Sequence, residues 1–490
     1  MTAPRIAVEE VTGFEWPFTL RIPFRFGAVT LRSGRQAVVA VRVRLADGAT
    51  AEGLAAETLA PKWFDKNPLL SDEQNEHQLR RAIEIARDVY LASPPATPFG
   101  LFAEAYGSVQ ERASAEGLPP LVAAFGQALV DRAVLDAVLR QAGLSFFSGM
   151  RANVAGLASH PVISDLAGFD WNRFLASLQP RNQVFLRHTV GLLDPITAAD
   201  RDPATAPQDG LPVTLEEVCA VHRPRFFKLK VSGDLAADLD RLRRIVSVLE
   251  RHAPGFRVTL DGNEQFGDAA AALAFLDALA GDAALAALRA AVLYLEQPIR
   301  RDRALAGDVH ALARHFPLMI DESDGTLDAF VSARRCGYAG VSSKACKGIY
   351  RSLINLARVQ LWNAAQPKTR HFLSGEDLTC LAGLAVQQDL ALVALLGLEH
   401  VERNGHHFVD GFSGRPEAEA ARFLAAHPDL YRRAPRGARL AIVDGAIRLA
   451  SLDCPGLGAA ARPDLAAMAP MPKAAWPPAA TSPAGALSSP

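Results

Sequence analysis

Over the first 110 or so residues, the apolar positions fall in runs and alternations of strand type. Phe18–Leu31 and Gln36–Leu45 carry alternating or β-branched apolar residues, and Ala46-Asp47-Gly48 is a hairpin-type turn leading to a further strand. The spacing then becomes helical. Asp72–Leu91 keeps Leu79, Ala82, Ile83, Ile85 and Ala86 as one apolar stripe among charges. Pro94, Pro95 and Pro98 break the chain, and Gln127–Ala142 presents a broad apolar face before a stop at Gly143. From about residue 184, strand-length apolar runs alternate with helical stretches. The strands predicted are Val184–His188, Phe226–Val231, Arg257–Leu260, Val292–Glu296, Leu318–Ile320, Gly340–Ser343, Arg370–Leu373 and Leu398–Val401. Helices such as Leu235–His252, Asp268–Leu279 and Gly348–Ala365 lie between them. This alternation predicts an α/β protein with a parallel barrel rather than an open sheet. Beyond Arg415–Leu449, which is partly helical, the chain from about Pro455 is Ala/Pro/Ser-rich with few charges and reads as a flexible tail.

Composition narrows the classes. Hydrophobic residues make up 49% of the 490, enough for a large core, which excludes a mostly disordered chain. Lys and Arg number 52 against 53 Asp and Glu, a balance that argues against a protein built to coat nucleic acid or an anionic membrane. Neither is expected as a partner. The five cysteines, Cys219, Cys336, Cys346, Cys380 and Cys454, have no metal-ligand spacing and no disulfide-framework pattern, which suits a reducing cytoplasm. Met1 to Pro17 lacks an apolar targeting core. Ala269–Leu295 and Leu381–Leu398 are interrupted by polar residues at helical spacing, so they read as buried helices and not as membrane spans.

The chemistry sits where the strands end. In a β/α barrel, catalytic groups project from the C-terminal ends of the strands. Here those ends carry Lys228-Leu229-Lys230, Asp261-Gly262-Asn263, Glu296-Gln297-Pro298, Asp321-Glu322-Ser323 and Ser343-Lys344, then Ser374-Gly375-Glu376-Asp377 and Glu402-Arg403-Asn404. Three successive strands end in carboxylates, the hard oxygen donors that Mg²⁺ takes at ~2.0–2.1 Å. Lysines flank them on either side. The strand period of two puts Lys228 and Lys230 on one face, where each ammonium is expected to depress the pKa of the other and make a base available near neutral pH.

This constellation resembles the enolase superfamily, and within it the muconate lactonizing enzyme-like subgroup (mandelate racemase/muconate lactonizing enzyme family). The motifs recur at 230, 261, 296, 321 and 344, each step about one β/α unit, and the likeness extends over roughly residues 15–450. It implies a (β/α)8-type (modified TIM) barrel with an N-terminal α+β capping domain. The chain then divides into a cap (1–145), a connecting insertion (146–183), the barrel (184–405), a segment returning to the cap (406–454) and a flexible tail (455–490). It further implies Mg²⁺, with Mn²⁺ as the alternative ion, held by Asp261, Glu296 and Asp321. Glu322 corresponds to a carboxylate behind the metal that pairs with the strand-six lysine, and Asn263 lies in the same outer layer. Lys230 corresponds to the base on one face of the substrate, with Lys228 lowering its pKa, and Lys344 to the acid/base or cation on the other. The shared chemistry is removal of the proton α to a carboxylate of a small molecule, through a metal-stabilised enediolate. Homo-oligomers are common in that family.

Other residues carry expectations of their own. Thr189, Ser374, Glu376, Glu402 and Asn404 fall at ring positions facing the site, and Arg25 and Phe26 where the family's cap sends a loop over it. His406 and His407 read as surface or loop histidines, and Lys347 as a helix-start charge. Dipeptide epimerases of the subgroup carry Asp-x-Asp at the end of strand eight, whereas this chain has a single Glu402 beside Arg403. Three functions compete. A racemase or epimerase uses a lysine on each face. A lyase (cycloisomerase, dehydratase or β-elimination) uses the same enediolate. A non-catalytic barrel binding protein uses neither.

Overall fold

The computed structural model describes residues 3–477 apart from 28, 203, 205 and 367–369. Three antiparallel strands, β1 (Ile6–Phe26), β2 (Val29–Leu45) and β3 (Thr50–Leu59), begin the cap. The run expected as one strand over Phe18–Leu31 instead folds back after Phe26, with Phe26 opposite Val29. Gly27 stands at φ +51°, the left-handed conformation such a tight reversal needs. Three helices follow: α1 (Asp72–Ala92), α2 (Pro98–Ala115) and α3 (Pro120–Gln141). Ser71 and Gln74 form a capping box at the start of α1, and Thr97 caps α2 just ahead of Pro98.

The helix α3 is buried without a break from Leu121 to Leu139, because sheet, cap helices and barrel enclose it. This explains why its apolar face was so broad. The strand β3 lies directly on it. A Cβ at Gly53 would come within 2.0 Å of the Ala133 carbonyl oxygen and 2.3 Å of the Ala137 nitrogen. Backbone at that distance cannot give way. We therefore expect Gly53→Ala to force the sheet off the helix and cost about 3 kcal/mol, read as a lower urea midpoint with unchanged slope. An unchanged midpoint would show that the sheet–helix contact is looser than described.

Two short helices, α4 (Phe146–Arg151) and α5 (Trp171–Ser177), occupy the connecting insertion. The barrel strands are β4 (Gln183–Val190), β5 (Phe226–Lys230), β6 (Arg257–Asp261), β7 (Val292–Glu296), β8 (Leu318–Ile320), β9 (Gly340–Ser343), β10 (Phe372–Gly375) and β11 (His400–Arg403). They run parallel in sequence order, and β11 pairs with β4 to close the ring. The fold is thus the expected barrel under an N-terminal cap. Strands β10 and β11 start two residues later than the apolar pattern indicates. Their inward positions are the polar residues Ser374 and Glu402, which a hydrophobic pattern cannot recognise as core.

After the barrel, β12 (Tyr431–Ala434) and β13 (Gly437–Leu440) form a hairpin, and β14 (Ala446–Arg448) pairs antiparallel with β4. The segment from 455 to 477 is not a loose tail. It crosses the cap, where Leu457 and Ala459 are fully buried and β15 (Ala469–Pro470) extends the cap sheet beside Phe14 and Glu15. Backbone and ring donors anchor it: Leu457 N to Asp136 Oδ1 (2.7 Å), Ala474 N to Glu84 Oε1 (2.8 Å) and Trp476 Nε1 to the Glu116 carbonyl (2.9 Å). An extended strap held by such bonds has no apolar period, so composition alone reads it as linker. The rest of the expected tail, 478–490, lies outside the described residues. Among the described residues no single helix is long and apolar enough to cross a membrane, and all five cysteines are free.

Candidate active site

The strand ends meet the cap around a cavity of about 40 Å³. Lys228, Lys230, Asn263, Asp321, Lys344, Glu402 and Asn404 form its barrel side. Phe24, Phe26 and Leu31 from the β1–β2 hairpin and Trp63 from the loop after β3 form its roof.

Lys228 and Lys230 both point into the barrel, as the period of two requires. Lys228 lies deeper and is ringed by carboxylates. Its Nζ is 2.8 Å from Asp261 Oδ2, 2.9 Å from Glu376 Oε2 and 3.1 Å from Glu402 Oε2. It donates to Glu296 Oε1 at 2.9 Å and lies 2.8 Å from Oε2 without hydrogen-bond alignment. Burial works against its charge, but Asp261, Glu296, Glu376 and Glu402 outweigh burial and hold it well above the ordinary lysine range. The expectation of mutual depression therefore fails for Lys228, because four carboxylates face it. It is a fixed cation. Lys230 sits nearer the cavity mouth and donates to Asp261 Oδ2 and Asn263 Oδ1, each at 2.6 Å.

Lys344 stands across the barrel. Strands β5 and β9 are four places apart in the closed ring of eight, so Lys230 and Lys344 face the cavity from opposite sides. The Lys344 ammonium is 2.8 Å from Asp321 Oδ2 and 4.1 Å from the centre of the Trp63 ring. Burial opposes its charge, and Asp321 more than compensates, so Lys344 is held protonated. Lys347, expected as a helix-start charge, does lie just ahead of a helix, at Ile349–Ala365, and is buried beneath the site. It donates to the Asp321 carbonyl (2.7 Å) and Ser342 Oγ (2.5 Å) and lies 3.2 Å from Asp321 Oδ1. Burial would raise the Asp321 carboxyl, but Lys344, Lys347 and Lys228 hold it far below the usual carboxylate range.

Asp261 and Glu296 are adjacent at the ends of β6 and β7, and Asp321 directly follows β8. The turns carrying the first two are constrained: Asn263 and Gln297 take positive φ, and a Cβ at Gly262 would come within 2.7 Å of Pro298 Cα. The all-oxygen donor chemistry of the three suits a hard divalent cation. Glu296 Oε2 is buried and accepts no hydrogen bond. Burial, then Asp261 and Glu376, push the Glu296 carboxyl well above its usual range, a penalty that a divalent cation at this position relieves. Yet among the described residues no three His, Cys, Asp or Glu side chains surround one point. Lys228 lies within 2.8 Å of both Asp261 and Glu296, and Lys344 within 2.8 Å of Asp321. The donor set fits the ion chemically.

Glu322 does not pair with the strand-six lysine. It accepts from Asn263 Nδ2 (3.1 Å) and from Lys66 of the cap (3.3 Å). Lys66 also donates to the Asn263 carbonyl (2.8 Å) and lies 2.6 Å from Glu264. Thr189 and Ser374 lie below the cavity floor and do not line it: Thr189 donates to Glu402 Oε1 (2.6 Å), and Ser374 bonds Tyr294 and Glu376. Glu376 joins Lys228 to Arg187. Glu402, Asn404 and Phe26 line the cavity. Arg25 does not, since strand alternation turns it away and puts Phe24 inward instead. Arg403 pairs with Asp389 and with Asp377 (3.3 Å) behind the strand. Sequence reading missed Phe24, Trp63, Lys66 and Arg187. For Trp63 a signal existed in Pro61-Lys62-Trp63-Phe64, an aromatic pair just after a strand.

His406 and His407 are not surface residues. With His188 of β4 and His222 of the helix α6 (Leu215–His222) they form a cluster on the outer side of the barrel wall, ring centres 5.0–6.4 Å apart. Among the described residues His188 Nδ1, His407 Nδ1 and both His406 ring nitrogens are buried and without hydrogen-bond partners.

Comparison with solved structures of mandelate racemase/muconate lactonizing enzyme and enolase superfamily members bears out the resemblance at the level of fold, a closed parallel barrel under an N-terminal cap. Muconate lactonizing enzyme from Pseudomonas fluorescens, complexed with muconolactone, superposes with a TM-score of 0.56 at 20% identity over 94% of this chain and 98% of that one. Dipeptide epimerase from Enterococcus faecalis V583, complexed with Mg and L-Leu-L-Tyr, gives 0.56 at 16% over 92% and 99%. An enolase from Bradyrhizobium, complexed with magnesium and mandelic acid, gives 0.56 at 16% over 95% and 98%. No protein-family model and no curated protein sequence matches the chain.

Proposed function

We propose that the protein is a Mg²⁺-dependent enzyme of the enolase superfamily that removes the proton α to a carboxylate and returns it on the opposite face, a racemase or epimerase. The observation that carries this reading is the pair of lysines, Lys230 and Lys344, facing one cavity from diametrically opposed strands. Asp261, Glu296 and Asp321 would hold the metal, with Mn²⁺ as the alternative ion, and the bound cation would supply positive charge for the enediolate oxygens. The chain's own residues do the rest. Lys228, fixed by four carboxylates, adds permanent positive charge on the floor. Lys230 takes the α-proton on one face. Lys344, held as an ammonium, delivers one on the other. Roof residues Phe24, Phe26 and Trp63 exclude water.

A lyase, whether cycloisomerase or β-eliminating, is the second reading. The observation in its favour is the contact of Lys344 Nζ with Asp321 Oδ2 at 2.8 Å, which suits a lysine that serves as a fixed cation and not as a base. Product analysis separates them: an inverted centre for the first, a new double bond or ring for the second. The non-catalytic alternative is tested by calorimetry. Titration with Mg²⁺ is expected to give one site per chain, lost in Glu296→Ala and Asp321→Ala. Equal heats from wild type and both variants would place any bound ion elsewhere and remove the ground for metal-assisted chemistry here.

A further inference from the structure

The Trp63 indole covers Lys344 from a loop of irregular backbone, and part of the grip on that loop comes from outside the cavity. Trp63 is 4% exposed and packs edge-on against Phe64 (4.7 Å), which packs in turn on Phe125 of α3 (5.0 Å). These ring contacts tie the loop to the cap. A separate set ties it to the barrel.

Arg301, just beyond β7, is the centre of that set. Its Nη2 donates to the Trp63 carbonyl (2.8 Å) and its Nη1 to the Phe64 carbonyl (2.7 Å). Its Nε and Nη2 also meet the two oxygens of Glu264 fork to fork, at 2.9 and 2.8 Å. Glu264 Oε2 lies 2.6 Å from the ammonium of Lys66, on the same loop as Trp63. One guanidinium and one carboxylate thus hold Trp63, Phe64 and Lys66 together. Arg301, Glu264 and Lys66 stand outside the cavity, in a separate groove between the loop and the barrel.

The backbone is bent to allow this. Asn263 and Glu264 stand at φ +39° and +69°, successive non-glycine residues in the left-handed region. Such a conformation costs free energy and persists where surrounding contacts over-determine it. Here it delivers the Glu264 carboxylate to two cations, Arg301 from the barrel and Lys66 from the cap. A guanidinium serves two carbonyls and a carboxylate at once, in a geometry that an ammonium cannot reproduce.

We propose that Arg301 is a positioning residue that acts through Trp63 on Lys344: with Glu264 and Lys66 it clamps the loop after β3 to the barrel and keeps the indole over the ammonium. The cation–π contact then holds Lys344 at its wall and shields it from water. The use of the clamp in catalysis rests on the enediolate reading above. Its geometry does not.

The test needs no substrate. The full-length chain, in Mg²⁺ buffer, is pulsed with acetic anhydride, and acetylation of each lysine is read by mass spectrometry. Lys344 reports the roof, and Lys347, buried beneath the site, reports general loosening. Arg301→Met is expected to speed acetylation of Lys344 ~10-fold and to leave Lys347 within about twofold, because a local opening exposes one and not the other. Arg301→Lys, which keeps a charge beside Glu264 and cannot hold both carbonyls, is expected to give a rise of roughly threefold, and it stands in if Arg301→Met fails to fold. The double variant Arg301→Met, Trp63→Ala should label Lys344 no faster than Trp63→Ala alone, since both changes act through one contact. An unchanged Lys344 rate in Arg301→Met, a parallel rise at Lys347, or multiplied effects in the double variant would each overturn the clamp. Absence of α-hydrogen exchange from every acid tried would remove the enediolate reading, and the labelling rates would still decide the clamp.

Discussion

Lys344→Ala is expected to split the reaction by enantiomer rather than abolish it uniformly. With Lys230 and Lys344 on opposite walls of the cavity, each reaches the α-hydrogen of only one hand of substrate. The variant should lose racemisation by ~10³-fold or more, the usual scale for a missing general acid or base. It should still exchange the α-hydrogen of the enantiomer that faces Lys230. Lys230→Ala should show the mirror-image selectivity. The fold should survive Lys344→Ala because Lys347 still holds Asp321 through its carbonyl and Oδ1. Proton NMR in D₂O with each pure enantiomer reads both effects. Loss of exchange from both hands in both variants would sink the two-base assignment and favour a reaction in which one lysine only supplies charge.

The second large effect concerns acid stability. Burial, reinforced by His222, pushes His188 down to about 3, and burial with Arg432 pushes His222 down to about 4. His406 and His407 move the same way, by burial and by their cationic neighbours, including Arg21. The sign follows from which state binds more protons. Below the ordinary value of 6.5 the unfolded chain protonates these rings and the folded chain does not, so stability falls as pH falls. Above 6.5 both states are neutral and the contribution is flat. At pH 5.5 His188 and His222 together remove about 3 kcal/mol relative to pH 8, and His406 and His407 add to the loss. A domain with only about 5–15 kcal/mol in hand then approaches unfolding at mild acidity. Urea unfolding at pH 8 and pH 5.5 measures this. His188→Phe should retain near-normal stability at pH 8 and lose about 1 kcal/mol less on acidification. A variant with the wild-type pH slope would show that the cluster is not the source.

The parts of the site legible in the sequence were those tied to strand periodicity. Lys228, Lys230, Asp261, Glu296 and Lys344 lie at or next to the ends of short apolar runs, so finding the runs located the side chains that gather at the candidate site. Residues whose place depends on folding across distance were not legible. Trp63 and Lys66 come from an aperiodic loop, and only closure of the cap sets the indole on Lys344 and Lys66 on Glu322. The histidine cluster is assembled from β4, α6 and the helix Gly405–Phe408, three segments with no common pattern. Lys347 was read only as a helix-start charge, because sequence does not show that it bonds to the Asp321 carbonyl and Ser342 beneath the site. The state of Lys228 was misjudged for the same reason: its neighbour two residues away is a lysine, but its neighbours in space are four carboxylates.

The most direct test of the central claim is α-hydrogen exchange by the wild-type protein in D₂O. The Mg²⁺-loaded enzyme, given a compact carboxylic acid, should place deuterium at the α-carbon, and chelation of the metal should stop it. Exchange that persists undiminished in the Lys230→Ala, Lys344→Ala double variant would contradict the claim that these two strand ends perform proton transfer.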